Sequence, residues 1–592
     1  MTSRHRSSYE SRHLETSLLA GPIFAREWLI TPRQLKHYVT RAGYAAALLV
    51  LMYTAGVATF GFQRPQNPGE VAAFGKFVFS VFAVVHLLIV SAAALLLGSA
   101  NVAHEKDRRT LILLLMTDLR NRELVLGKLF AGLLTVFVII LVSLPVFSVL
   151  RILGGVSLGQ VLWLEMLCLA SALVAGSWGS LVAFWRDKTF QTLAISVLGL
   201  VLFLGLVEGV AAIFAGSSIG AAAELLNPLR ALGKLLDPLS RPDSAVPNVS
   251  VWPSVCTLLA LSAVLTSVTI ARLRVWNPSK SVHESARSGV DGEAKPVRKV
   301  HRQVSDEPVA WREICTRAYG RKTVVIKAAY ILFAILVGAY LWTVPGDGGL
   351  VLGMISREGF AFVALSIIAL LLINAQAVTA LTTERDGLTL ELLLATEITP
   401  REFVTGKLEG VLYNTWQVTA VPLAFLIVST AQGNLSLENA IYVLISFLTL
   451  VVFSAMLGLH SGLGHANSRA AIANSLGTMF FLFVGIFICL MLVVEARASL
   501  LVQLPAFLVF ILGGSIGLMV SLRRTTPSPA LLFSALLLPF MTFYALTGFL
   551  IGNTLGICCV LVGMYGFTTI AMLVPAVSEF DLALGRSSGP RE

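Results

Sequence analysis

Fourteen stretches of this 592-residue chain stay apolar over about 20 residues, the helix length that crosses roughly 30 Å of hydrocarbon, and no other feature restricts the fold as much. They lie near residues 42–62, 77–100, 129–150, 161–184, 193–214, 252–271, 326–344, 360–383, 410–430, 440–463, 474–494, 501–521, 530–551 and 555–575. A soluble fold is excluded, because only 13% of residues are charged while 56% are hydrophobic and the mean hydropathy is +0.82. Too few charges remain to cover a water-facing surface. The runs are also about twice as long as the alternating strands of an outer-membrane barrel. Inside lipid, a segment that is not part of a barrel must satisfy its backbone groups by itself, as a helix does. The expected fold is therefore all-α: a polytopic helical membrane protein of about 14 transmembrane helices.

The net charge of +11 follows from topology. With the N-terminus in the cytoplasm, 36 of the 44 lysines and arginines fall on the cytoplasmic side, as the positive-inside rule requires. Nucleic acid is thus not an expected partner; the lipid bilayer is. Both termini are expected in the cytoplasm and the chain in the inner (cytoplasmic) membrane. Residues 1–40 are polar and basic, so the first span itself is expected to direct insertion, without a cleavable signal. Of the cysteines, Cys168, Cys256, Cys489, Cys558 and Cys559 lie in or at the edge of apolar segments and Cys315 does not. Their spacing gives no metal site and no disulfide framework.

Residues 277–309 are polar and punctuated by Gly and Pro, which reads as a cytoplasmic linker between two halves. The halves are related. Residues 105–128 (EKDRRTLILLLMTDLRNRELVLGK) align without a gap to 384–407 (ERDGLTLELLLATEITPREFVTGK), and the 13 identities in 24 positions include polar ones that hydrophobic chance does not explain. Identical pairs are Glu105 with Glu384, Asp107 with Asp386, Thr110 with Thr389, Thr117 with Thr396, Arg122 with Arg401, Glu123 with Glu402, and Gly127 and Lys128 with Gly406 and Lys407. Each loop joins the second and third spans of its half, and each half opens on an Arg-Glu pair, Arg26 and Glu27, then Arg312 and Glu313. Six spans and a cytoplasmic linker separate the copies, so the six-helix repeats are parallel. The expected organisation is a disordered tail (1–20), a first unit (21–276), the linker (277–309), a second unit (310–524), and an added pair of spans with a short tail (525–592).

Each loop has the makings of a rigid amphipathic plug. In the second copy Gly387 ends the incoming helix, and Thr389 caps a short one with Leu390, Leu393 and Leu394 on one face. Thr399 and Glu402 then form a capping box with Pro400 at the first helical position, which fixes where the third span begins. The first copy is degenerate, with Arg108 for Gly387 and with Arg120 and Asn121 for Thr399 and Pro400. Two well-capped connecting loops are the plainer alternative. The loops also differ in charge, +2 for 105–128 against −2 for 384–407, which fits either docking on two different surfaces or drift on solvated faces. Outside the membrane, 224–236 has leucines at helical spacing and reads as an interfacial helix or as an ordinary capping loop.

This pattern of Glu, a base, an acid, Thr-Leu, a leucine cluster, Thr, Arg-Glu and Gly-Lys resembles the first cytoplasmic loop of type-2 ABC exporter permeases, closest to the branch that includes permeases for multi-copper enzyme maturation. The resemblance implies six spans per unit, an interfacial elbow helix before the first span (Arg26, Glu27; Arg312, Glu313), and a coupling helix that docks on an ATP-binding subunit. Glu105, Asp107, Thr110, Thr117, Arg122, Glu123, Glu384, Asp386, Thr389, Thr396, Arg401 and Glu402 would belong to the coupling elements, with two permease units fused in one chain. By family analogy the transport path would run between the halves near the second and fifth spans.

The sequence contains no GxxxxGK followed by Ser or Thr; the Gly-Lys pairs at Gly75, Gly127, Gly233 and Gly406 are followed by Phe or Leu. ATP and Mg are therefore expected on a partner ABC subunit, with no cofactor, metal or catalytic residue in this chain. Two other classes stay open, a non-transporting scaffold for an ATPase and an ion-coupled secondary transporter. The latter needs intramembrane ionisable groups, for which His86, Glu165, Glu208 and His460 are the candidates. Glu165 and Glu208 read as solvated near the outer ends of their spans, and the histidines as packed side chains. The sequence does not name a substrate.

Overall fold

A computed structural model describes residues 21–29, 35–60, 67–107, 110–186, 189–214, 216–240, 251–277, 307–315, 323–343, 356–386, 390, 397–465, 468–487, 489–490, 500–522, 528–551 and 554–578. The described residues form helices and connecting turns, with no strand, as the all-α expectation requires. In the first half these are α1 (21–29), α2 (Leu35–Phe60), α3 (Pro68–Asp107), the short α4 (Thr110–Leu115), α5 (Asn121–Leu153), α6 (Leu158–Trp185), α7 (Thr189–Ile213), α8 (Ser218–Leu226), α9 (Pro228–Ser240) and α10 (Trp252–Trp276). The second half has α11 (Pro308–Cys315), α12 (Thr323–Thr343), α13 (Arg357–Asp386), α14 (Pro400–Ala431), α15 (Leu437–Gly464), α16 (Ser468–Phe480, running into a π-helical turn at Phe481–Gly485), α17 (Leu500–Leu522), α18 (Pro529–Ile551) and α19 (Thr554–Ser578).

Among the described residues, eleven helices are long and apolar enough to cross a membrane. The other three expected spans coincide with α2, α16 and α17, where the apolar stretches Arg41–Val57, Ala470–Gly485 and Phe507–Leu522 are shorter. The expected N-terminal tail, most of the linker and the C-terminal tail lie outside the described residues.

The halves keep one sequence register well beyond the repeated loops. In the register that pairs Glu105 with Glu384, α6 and α15 begin and end at matching positions, and α7 and α16 begin at matching positions. The local cause is shared: Ser157 and Ser436 cap α6 and α15, accepting hydrogen bonds from the Gln160 (3.2 Å) and Asn439 (3.3 Å) backbone N–H. In both halves the second span packs closely on the fourth across a glycine. A Cβ at Gly179 would lie 2.6 Å from the Leu95 carbonyl oxygen, and one at the matching Gly458 2.7 Å from that of Asn374. Only a residue without a side chain permits this approach.

The helix lying along the fourth span differs in its place in the chain. In the first half it is α10, joined to α6 through Ser177 and Ser262 (2.8 Å) and through Asn277, which donates to the Phe184 carbonyl (3.1 Å). In the second half it is the last helix, α19, whose buried Tyr565 meets Phe453 of α15 edge-on at 4.8 Å. Between the halves, α7 packs on α12 and α13, with Leu193 against Val378, Ala471 and Ile472, and α2 packs on α17.

The outer segment expected over 224–236 is two helices broken at Asn227. Ala231, Leu232 and Leu235 of α9 are buried in the first-half core beside Val251 and Val255, so this face caps the bundle. Arg230 fixes it by a two-pronged contact with Glu208 (2.8 Å to each oxygen) and a third with Glu224 (2.8 Å), and Lys234 adds a pair to Glu224 (2.8 Å).

Candidate functional site

In the second half, three separate segments meet in one ion-paired cluster. The capping box at the start of α14 is complete. The Glu402 N–H donates to Thr399 Oγ1 (3.3 Å), and the Thr399 N–H donates to Glu402 Oε2 (3.0 Å). That start places Lys407 on the first turns of α14, facing the end of α13 and the elbow helix α11. Lys407 Nζ contacts Glu313 Oε1 at 2.5 Å and Glu384 Oε1 at 2.8 Å, and Arg312 Nη2 contacts the same Glu384 oxygen at 2.5 Å. The side chains of Lys407 and Glu313 are each 2% exposed.

Two positive and two negative groups balance, which a buried cluster needs, since desolvation costs several kcal/mol per ion and is recovered only by close pairing. The glycine of the Gly-Lys pair makes the approach possible. A Cβ at Gly406 would stand 2.9 Å from Val309 Cβ, and one at Gly410, a turn later, 2.5 Å from Glu313 Cβ. Asn414 then donates to the Glu313 carbonyl at 3.2 Å.

The first half builds a reduced version. Lys128 pairs with Glu105, the match of Lys407 with Glu384, but at 15% and 18% side-chain exposure. Thr110 donates to the Glu105 carbonyl (3.2 Å) at the start of α4. Only one arm of the capping box is possible, since arginine offers no acceptor: the Arg120 N–H donates to Glu123 Oε2 at 3.1 Å. The departure at Asn121 has its own use. Its amide donates to the Ile270 carbonyl (3.3 Å) and accepts from Arg274 Nε (3.0 Å), tying the start of α5 to the end of α10. The elbow segment α1 lies along α5, with Gly21 against Glu123 and Phe24 against Phe130 (6.0 Å).

The predicted residues therefore separate into groups. Glu105, Glu384, Arg312 and Glu313 join ion pairs, and Glu123 and Glu402 set helix starts. Arg26, Arg122 and Arg401 are exposed, Glu27 is half-buried, and Thr117 is exposed in the turn after α4, donating to the Leu114 carbonyl at 2.6 Å. Asp107 and Asp386 are the last residues of α3 and α13. Thr389 and Thr396, with Gly387, lie outside the described residues.

Sequence reasoning missed two features. Lys106 donates to the Phe184 (2.5 Å) and Arg186 (3.0 Å) carbonyls, and Arg385, at the matching position, donates to those of His465 and Gly462 (2.9 Å). In both copies the base of the motif closes the C-terminal end of the fourth span, where carbonyls lack partners. Its signal was present, a base at one repeat position in both loops. The second feature corrects the reading of Glu165 as solvated near a span end. Glu165 is 6% exposed and lies beside the fully buried His86.

Residues 34–271, in the first half of the chain, match the family model described as ABC-2 family transporter protein. No curated protein matches the chain. The match supports a membrane transporter subunit of an ABC system, and the apolar helices fit a multi-pass membrane protein.

Proposed function

We propose that the chain is the membrane-spanning permease of an ATP-driven exporter in the inner membrane, with both termini cytoplasmic and ATP and Mg held by separate ABC subunits. The Arg312–Glu384–Lys407–Glu313 cluster carries this reading. It joins the elbow helix, the end of the second span and the start of the third into one body, so a push on the loop moves all three together. The shared register and the Glu105–Lys128 pair support two fused permease units, and the α17–α18 hairpin is then an insertion ahead of the last span.

The loop of the first half offers a docking face to an ATP-binding subunit. Ile112, Leu113 and Met116 are 50%, 64% and 74% exposed around α4, while Leu111 is buried beneath. Alternating access follows from rigid movement of the two bundles about their α7–α12/α13 and α2–α17 contacts.

In membranes containing the complete transporter, Glu384→Gln is expected to leave assembly intact and to reduce substrate-stimulated ATP hydrolysis and export together. Loss of neither would refute the cluster's role in coupling, and loss of assembly alone would favour a scaffold. Ion-coupled transport is the second reading, supported by the buried His86–Glu165 pair. Transport by an ATPase-free preparation would favour it.

A further inference from the structure

The first half holds a buried ionisable cluster for which the coupling scheme has no use. Tyr44 on α2, His86 on α3, Ser143 on α5 and Glu165 on α6 converge on one point. Tyr44 Oη lies 2.5 Å from His86 Nδ1, His86 Nε2 lies 3.3 Å from both Glu165 Oε2 and Ser143 Oγ, and Ser143 donates to Glu165 Oε1 at 2.7 Å. His86 and Ser143 are fully buried. Glu165 stands seven residues into α6, about 10 Å along its axis.

Among the described residues, no other charged group contacts the pair. The titratable groups facing the pair are Tyr44 from α2 and Cys168 from α6, one turn beyond Glu165; α5 brings Ser143 and the ring of Phe147, 5.6 Å from that of His86. Among the described residues, no lysine or arginine pairs with Glu165.

The hydrogens then decide the charge. With a neutral imidazole, the Tyr44 hydroxyl donates to Nδ1 and Nε2–H donates to the carboxylate, while the single Ser143 hydrogen goes either to the other carboxylate oxygen or to the Ile140 carbonyl, each 2.7 Å away. One negative charge is left in an apolar interior. One added proton removes it. If the proton settles on Nδ1, Tyr44 turns from donor to acceptor; if on the carboxyl, the imidazole stays neutral.

The second half is a built-in comparison. In the common register His86 falls on Leu365, Ser143 on Pro422 and Glu165 on Leu444. Tyr330 of α12 is buried and donates to the Leu365 carbonyl at 3.0 Å, an aromatic hydroxyl aimed at the level where the first half has its imidazole. The bundle thus packs with apolar residues in place of the ionisable pair, and packing alone does not require the cluster.

We propose that Tyr44, His86, Ser143 and Glu165 form a proton-binding site of the first half, holding one proton shared between imidazole and carboxyl. Its members come from four spans, so the proton exchanges with water when α2 parts from α3 and α5. The site thereby links proton release to opening of one bundle. This inference is independent of the ATP-driven reading.

The test uses the full chain in lipid nanodiscs at neutral pH, with ¹⁵N-histidine labelling and infrared spectroscopy. The expected result is either a doubly protonated imidazole signal that His86→Leu abolishes or a protonated-carboxyl band that Glu165→Gln abolishes. A neutral His86 beside an ionised Glu165 would overturn the proposal. The combined His86→Leu, Glu165→Leu variant, which copies the second half, is expected to fold and to flatten the pH profile of transport. A profile superimposable on wild type would reduce the cluster to packing and also overturn it.

Discussion

Replacing Lys407 by methionine removes a cation that touches both Glu313 and Glu384 of the second-half cluster. Glu313, 2% exposed, then loses its ion pair with Lys407, and Glu384, 11% exposed, keeps its pair with the 36%-exposed Arg312. Breaking a buried pair from one side typically costs about 3–5 kcal/mol, because the remaining charge stays desolvated. Lys128→Met is the matched control. Its partner Glu105 is 18% exposed and regains water more readily, so a loss of about 1–2 kcal/mol is expected there. The assay is reversible unfolding of the purified chain by SDS titration. A second variant separates the lost pair from a packing defect: Glu313→Gln added to Lys407→Met should recover part of the loss, since it deletes the stranded charge. The reasoning fails if the two single variants agree within about 0.5 kcal/mol, or if the double variant is less stable than Lys407→Met.

Other consequences follow from the same geometry. Thr399→Ala should cost about 1 kcal/mol, and Arg120→Thr should stabilise the start of α5 by a similar amount by completing its capping box, both visible as hydrogen exchange in the first turns of α14 and α5. Gly410→Leu should displace α11 from α14 at a cost of about 1–3 kcal/mol, because even its Cβ would stand 2.5 Å from that of Glu313; unchanged cross-linking between cysteines placed on the two helices would contradict this. Between α8 and α9, the hydrogen bond from Lys234, with the nearby charges of Lys234 and Arg230, holds the Glu224 carboxyl below its ordinary value of 4.5. Its contribution to docking of α9 should be fully present above that value and fade as pH falls through the lowered one, with faster exchange in α9 as the measure.

The helical class and the repeat were legible because each leaves a one-dimensional trace, apolar length for the first and polar identities in two loops for the second. Thr399 and Glu402 could be assigned as a box because capping is local, three residues apart. The Lys407 cluster was not legible, although each member was in view. Its partners come from segments nearly a hundred residues apart, and only the Gly406 and Gly410 contacts bring the elbow close enough. His86 is the packed, hydrogen-bonded side chain expected of it, but the burial of Glu165 was not legible, because the ends of apolar runs give depth along a span whereas burial depends on what α2, α3 and α5 place beside it. The packing of α19 on α15 was equally hidden, because chain order gives no sign of which helix lies along the fourth span.

The central claim is that a separate ATPase drives this chain through its cytoplasmic loops. The direct measurement is affinity purification of the full-length chain from its native membrane, wild type beside a variant with Leu113→Asp and Met116→Asp, followed by ATPase assay and mass spectrometry. The account predicts that wild type brings down a polypeptide carrying GxxxxGK followed by Ser or Thr, together with ATPase activity, and that the variant loses both while remaining folded. A wild-type preparation free of any such subunit that still transports after reconstitution would contradict it.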